Sequence, residues 1–65
     1  MKVTDQFKAV VYSDNEILYV LDQGDPEVAL SEGAFTPNPS DAQLFEGLGW
    51  ADPVAGLGAV LERVV

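Results

Sequence analysis

Two apolar runs, at residues 7–12 and 17–22, flank a polar segment at 13–16. Both runs are rich in β-branched and aromatic side chains, which favour strands. The polar segment contains Asp14 and Asn15, residue types that tolerate the backbone conformations of tight turns. The pattern therefore predicts an N-terminal β-hairpin, with strands at about 7–12 and 17–22.

Neither run alternates cleanly between apolar and polar residues, which is typical of strands covered on both faces. An isolated hairpin is at best marginally stable in water, so other parts of the chain must cover it. We expect helices to cover one face. We assign Val10, Tyr12, Leu18 and Val20 to the second face and expect a partner to contact it.

The first helix signal follows the hairpin. Asp25 and Pro26 match an N-cap residue followed by proline at the first helical position, and Gly33 is a suitable end. These residues predict a short helix at 26–32. The competing interpretation is a third strand at 28–31.

A loop at 34–39 contains two prolines, and Ser40 follows it. Ser40 and Gln43 match the S-x-x-Q capping box, in which each side chain bonds to the backbone of the other. This spacing predicts a second helix at 41–46.

Asp52 and Pro53 repeat the cap and proline signature and predict a terminal helix at 53–63. Its apolar stripe consists of Val54, Leu57, Leu61 and Val64, and Val60 is among the residues that widen it. Gly56 and Gly58 lie inside this predicted helix, where each costs about 1 kcal/mol relative to Ala. We interpret them either as a close contact with another backbone or as an irregular first turn, after which the regular helix begins.

The predicted fold class is α+β, a single small domain formed by residues 1–65. A chain of 65 residues is near the lower limit for folding alone, and with no Cys and no His it lacks disulfides and the usual zinc ligands. Oligomerisation is the remaining common way to stabilise so small a core.

The net charge of the chain limits the kinds of partner that it can bind. Eleven acidic residues against three basic ones give a formal charge of −8, which repels phosphate backbones and anionic membranes. We therefore expect no direct nucleic-acid binding and no membrane binding. The start of the chain has no apolar signal-peptide core and no stretch is long enough to span a membrane, so we predict a soluble cytoplasmic protein or a component of a virion.

Chemistry-bearing patterns are absent from the sequence. Its serines have no His to act as a base, and the acidic residues Asp22, Asp25 and Glu27 do not have the spacing of a calcium-binding EF-hand loop. The glycines at 47 and 49 fail the dinucleotide-binding pattern. We predict no enzyme activity, no metal and no cofactor.

The favoured hypothesis is a non-enzymatic protein-interaction module that works by self-association or as an accessory subunit of a larger assembly, such as a virion. The partner-binding apolar residues are predicted to be Val10, Tyr12, Leu18, Val20, Leu57, Val60 and Val64. In the alternative, the protein mimics nucleic acid and occupies the basic site of another protein with Asp14, Glu16, Asp22, Asp25, Glu27 and Glu32. The apolar surplus is also compatible with a compact monomer core.

Overall fold

The computed structural model describes residues 5–64, which form an antiparallel sheet of five strands with two short α-helices on one face. The α+β fold class and the N-terminal hairpin are therefore confirmed. The elements, in chain order, are β1 (Gln6–Tyr12), β2 (Ile17–Val20), α1 (Pro26–Glu32), β3 (Phe35–Thr36), β4 (Leu44–Glu46), α2 (Ala51–Ala55) and β5 (Val60–Arg63).

Strand β1 is the centre of the sheet, since it pairs with β2, β4 and β5. Val10 lies opposite residues of both β2 and β5, and Phe7 lies opposite residues of both β4 and β5. A strand has only two edges. Strands β2 and β4 therefore share one edge of β1, and β5 occupies the other.

The hairpin is closed by a tight turn at Asp14 and Asn15. Ser13 and Glu16 exchange two backbone hydrogen bonds, at 3.0 and 3.4 Å. This pairing continues into the strands, where Tyr12 lies opposite Ile17. The turn therefore sets the register of β1 and β2.

Further from the turn, β1 and β2 separate and residues 41–46 enter the fork between them. Ala42 bridges to Leu21, and the Gln43 N–H donates to the Val20 carbonyl at 2.8 Å. The following strand, β4, pairs with β1. The chain passes from its bridge with β2 at Ala42 to its pairing with β1 at Leu44 within two residues, so β1 and β2 must diverge enough here for one extended segment to be antiparallel to each in turn.

The Gln43 side chain is buried where the chain crosses from β2 to β1, and both of its polar atoms are bonded. Its Oε1 accepts from the Gln23 N–H at 3.1 Å, and its Nε2 donates to the Leu44 carbonyl at 3.0 Å. Such a fully partnered buried amide holds the backbone in one arrangement.

The core lies between the sheet and the helices, and Phe45 is its largest fully buried side chain. The Trp50 ring packs against Phe45 with its centroid 5.7 Å away. The buried core residues are Ala9, Val20, Ala29, Phe45, Val54 and Ala59, so both helices contribute to the same side of the sheet. Half of this set is alanine, which makes the core small.

Helix α1 agrees with its prediction at both ends. The Asp25 carboxylate accepts a hydrogen bond from the Glu27 N–H at 2.8 Å, Pro26 begins the helix, and Gly33 ends it in a left-handed conformation at φ 64°. The competing strand at 28–31 is not formed. A two-residue strand, β3, forms instead inside the predicted loop at 34–39.

The helix predicted at 41–46 is wrong. Asn38, not Ser40, provides the cap, and only a single 3-10 turn (Pro39–Asp41) follows before Ala42 becomes extended at ψ 137°. Residues of β4 alternate exposed, buried, exposed, as a strand requires. The fork in the hairpin offers backbone donors and acceptors to this segment, and that tertiary pairing overrides the local capping signal.

The helix predicted at 53–63 is also wrong in extent. Helix α2 ends at Ala55, and Gly58 adopts a left-handed conformation at φ 77° in the turn that leads to β5. Asp52 lies in the first turn rather than at the cap. Residues 60–63 are extended because their backbone pairs with the free edge of β1.

We expect Phe45→Ala to lower the free energy of unfolding by about 3–5 kcal/mol, because it empties the largest buried position of a small core. Leu48→Ala is the control, since the Leu48 side chain is 67% exposed, and it should change stability by less than about 0.5 kcal/mol. Urea denaturation measures both values. Equal effects of the two substitutions would contradict this description of the core.

We expect Gln43→Met to destabilise the protein by about 1–3 kcal/mol, because the Gln23 N–H and the Leu44 carbonyl lose their partner while the volume is nearly conserved. Gln6→Met, at an exposed position of β1, is the matched control. Thermal unfolding followed by circular dichroism compares the two. A Gln43→Met variant as stable as the control would show that the amide does not stabilise the crossing from β2 to β1.

Candidate interaction surface

The face of the sheet opposite the helices carries a group of apolar side chains. Paired residues on adjacent antiparallel strands share a face. Tyr12 lies opposite Ile17, and Val10 lies opposite both Tyr19 and Val60. Leu44 lies opposite Lys8, two residues from Val10, and so shares this face. We call this set the apolar outer face: Val10, Tyr12, Ile17, Tyr19, Leu44 and Val60.

The residues of the apolar outer face differ in solvent exposure between the central strand and its surroundings. Val10, on the central strand, is only 2% exposed, whereas Tyr12, Ile17, Leu44 and Val60 are 60%, 46%, 40% and 51% exposed. Their neighbours on the other face are buried by the helices. The outer face is thus apolar and largely open to solvent, within the part of the chain that the structure describes.

One end of the apolar outer face is polar. Lys8 lies opposite Glu62 and Leu44, and its Nζ is 5.6 Å from the centroid of the Tyr19 ring, a cation–π distance. Glu46 lies opposite Gln6, one row further along. At the other end, Asp14 lies in the tight turn, and Glu16 is on the core side of the sheet, since it pairs with Ser13, one residue beyond Tyr12.

The structure brings together some of the predicted apolar site residues and separates others. Val10, Tyr12 and Val60 share the outer face. Leu18 lies opposite Val11, on the core face, and Val20 is fully buried in the core. The assignment of Val10, Tyr12, Leu18 and Val20 to one face is therefore wrong, because the turn pairs Tyr12 with Ile17.

The two remaining apolar candidates lie outside this set. Leu57 follows α2 and packs, half-buried, against the core. Val64 follows β5, and its N–H donates to the Gln6 carbonyl at 2.8 Å. Any contact of these residues with a partner stays a prediction.

Sequence reasoning missed Ile17, Tyr19 and Leu44. For the first two the signal was present, since a tight turn pairs the residues that flank it and so places Ile17 and Tyr19 on the same face as Tyr12. For Leu44 there was no such signal. Leu44 belongs to β4, and β4 forms only because it pairs with β1 where β1 and β2 separate.

The acidic residues of the alternative hypothesis are all exposed but fall in separate places. Asp14 and Glu16 are at the turn. Asp22 lies beyond the opposite end of β2, about 20 Å from Glu16 at the rise of an extended chain. The other residues of the set, Asp25, Glu27 and Glu32, cap α1 or lie on it.

Several carboxylates already have local partners. Asp22 accepts from the Gly24 N–H at 2.8 Å, and Asp25 caps α1. The Asp5 carboxylate and the Arg63 guanidinium form an ion pair at 2.7 Å, with both side chains at least half exposed. An exposed pair of this kind contributes little to stability.

Residues 5–64 contain no enclosed pocket, no group of three side chains suited to hold a metal ion, and no helix long and apolar enough to cross a membrane. Comparisons of the chain with protein-family models, curated proteins and solved structures found no match.

An aspartate introduced on the core face of the hairpin should prevent folding, whereas one introduced on the outer face should not. Val20→Asp places an unpaired carboxylate in the core and should unfold the protein, since such a change costs several kcal/mol. Ile17→Asp, three residues earlier on the outer face, should leave a folded protein. Circular dichroism and one-dimensional NMR distinguish these outcomes, and a folded Val20→Asp variant would refute the face assignment.

Proposed function

We propose that this protein is a non-enzymatic interaction module that acts by self-association or as an accessory subunit of a larger assembly, of the kind that decorates a virion. Its contact surface is the apolar outer face. The observation that carries this proposal is that both helices pack on one side of the sheet while the other side presents exposed apolar side chains.

The composition of the apolar outer face supports a contact role. Tyr is enriched at the centres of protein interfaces, and charged residues are depleted there. The face contains two tyrosines and four aliphatic residues at adjacent positions of β1, β2, β4 and β5. Contiguity matters, because singly scattered exposed apolar residues are normal on a protein surface.

The free energy of apolar burial also favours a contact role for this face. Full burial of one large apolar side chain contributes about 1.5–3 kcal/mol. Tyr12, Ile17, Leu44 and Val60 each retain roughly half of that contribution, so a partner that covers them adds several kcal/mol to a domain with a small core.

Nucleic-acid mimicry is the second candidate. The observation that favours it is that all eleven carboxylates are exposed, with one ion pair among residues 5–64. Its support is weaker than that of the outer face because the six proposed residues divide between the two ends of β2. Competition between this protein and a DNA duplex for a basic partner would test it.

We expect the outer face to drive self-association at 1 M salt, where the charge of each copy is screened. Sedimentation velocity should show a species larger than the monomer for the wild type at high micromolar concentration. Ile17→Asp should remove this species by placing a charge in the contact.

Val28→Asp is the matched control, because Val28 lies on α1 and its exposure of 45% equals that of Ile17 within one per cent. This variant should associate like the wild type. Association that survives Ile17→Asp would refute the outer face as the contact. A wild type that is monomeric at every salt concentration would exclude self-association and leave the accessory-subunit role.

A further inference from the structure

The outer edge of β5 is a strand edge with no strand paired to it. Among residues 5–64, β5 pairs with β1 alone. The Val64 N–H donates to the Gln6 carbonyl, so Val64 and every second residue before it direct their backbone groups toward β1. The intervening residues, Leu61 and Arg63, therefore direct their N–H and carbonyl groups away from β1. These four groups have no backbone partner in the described part of the chain.

Strand β5 lacks three of the usual features that block a sheet edge. Natural edges are often protected by proline, by a β-bulge or by a very short strand. Strand β3, at another edge of the sheet, has two residues and is followed by Pro37. Strand β5 has four residues and no proline, and its continuous register with β1 contains no bulge. The edge of β5 can therefore accept a further strand.

We propose that β5 pairs antiparallel with an extended segment of a different protein, which has Lys or Arg opposite Glu62 and apolar residues opposite Val60 and Leu61. The segment becomes the sixth strand of the sheet. This contact goes beyond the proposed function, because it uses the edge of the sheet and not its outer face. The partner side chain beside Val60 extends the apolar outer face onto the added strand.

A second copy of β5 is not complementary to this edge. Glu62 and Arg63 are consecutive in an extended strand, so they lie on opposite faces of the sheet. Directly opposed residues of an antiparallel pair share a face, so a symmetric pairing of two copies never brings Glu62 opposite Arg63. A pairing centred on either charged residue brings like charges together, and one centred on Leu61 places Glu62 opposite Val60.

The surroundings of Glu62 determine the charge that suits the partner. The Glu62 carboxylate has no ion-pair partner among residues 5–64, and the ammonium of Lys8, its neighbour on β1, lies 5.6 Å from the centroid of the Tyr19 ring. A basic side chain opposite Glu62 therefore adds a cross-strand pair of opposite charge. Arg63 already has Asp5 as its partner. The formal charge of −8 also attracts a basic segment and repels a second copy.

Two apolar side chains of β5 specify the other positions of the segment. Val60 is 51% exposed on the outer face, and Leu61 is half-buried on the core face. Apolar residues opposite them remove more of both side chains from water. In the antiparallel direction, the segment therefore has a basic residue followed by two apolar residues.

Two peptides, acetylated and amidated at their ends, test the proposal. The lysine peptide has the central sequence threonine, lysine, valine, valine, and the glutamate peptide has glutamate in place of lysine. Titration into isotope-labelled protein, followed by two-dimensional NMR up to millimolar peptide, should show tighter binding of the lysine peptide. Binding should slow hydrogen exchange of the Leu61 and Arg63 amides, which are open in the free protein. The four central residues pair, in order, with Arg63, Glu62, Leu61 and Val60.

Methylation of the peptide backbone tests the edge pairing directly. The threonine and the first valine direct their N–H groups toward β5, so N-methylation of both should raise the Kd at least about tenfold by removing two hydrogen bonds. N-methylation of the lysine and the second valine is the matched control. It should leave the Kd within about threefold, because these N–H groups point away from β5. Equal weakening by the two modifications would overturn the proposal.

Charge variants separate a specific contact from general attraction to an acidic protein. Glu62→Lys should reverse the preference, so that the glutamate peptide binds more tightly. Glu46→Lys is the matched control, since Glu46 is exposed on the same face but lies on β4, across β1 from β5. This variant should keep the preference for the lysine peptide. The same response of both variants would overturn the proposal, as would a failure of both peptides to bind.

Ile17→Asp distinguishes this contact from that of the proposed function. Ile17 lies on β2, on the other side of β1 from β5, so this variant should leave the Kd of the lysine peptide within about twofold. Peptide binding that is lost in Ile17→Asp would place the peptide on the outer face and overturn the edge contact alone. Hydrogen exchange of Leu61 and Arg63 in the free protein as slow as that of Glu62 would also overturn it.

Discussion

The fold depends on the way residues 41–46 fill the fork of the N-terminal hairpin. Where β1 and β2 separate, their backbone groups would lack partners, and this segment provides them by pairing first with the end of β2 and then with β1. The same segment delivers Phe45, the largest fully buried side chain, to the core. Backbone pairing and apolar burial are thus satisfied together, and the buried amide of Gln43 bonds the segment where it crosses from β2 to β1.

This arrangement explains why one face of the sheet stays open. Phe45, Trp50 and the two helices all lie on the same side, and the alanines of the core allow those helices to approach the sheet closely. On the opposite side, four of the six residues of the apolar outer face stay exposed: Tyr12, Ile17, Leu44 and Val60. The large apolar residues Tyr12, Ile17 and Val60 are therefore available to another molecule, at positions that the hydrogen-bonding register of β1 determines.

The charged side chains of this open face are placed differently from its apolar side chains. Glu46, Glu62 and Lys8 lie together at one end of the outer face, beside its apolar side chains, as the polar rim of a protein interface lies beside its apolar core. The formal charge of −8 opposes non-specific association of a chain with an exposed apolar face.

The parts of the structure that the sequence predicted correctly are those with local causes. The hairpin and α1 follow from a turn, a cap, a proline and a glycine that lie within a few residues of the elements they define. Two of the three outer-face residues missed in the sequence, Ile17 and Tyr19, were likewise implied by the tight turn. The α+β class and the acidic surface are properties of composition and local pattern.

Strands β4 and β5 had no such local cause, and both were predicted as helix. Ser40 and Gln43 form a genuine capping pattern, and Leu57, Leu61 and Val64 a genuine helical stripe, but each segment lies beside an unpaired edge of β1. Pairing along a strand satisfies several backbone groups at once, whereas a single cap is worth about 1 kcal/mol. The sequence alone thus determined the hairpin, α1 and the charge, and only the tertiary structure decided which edges of β1 were filled and hence which face was left open.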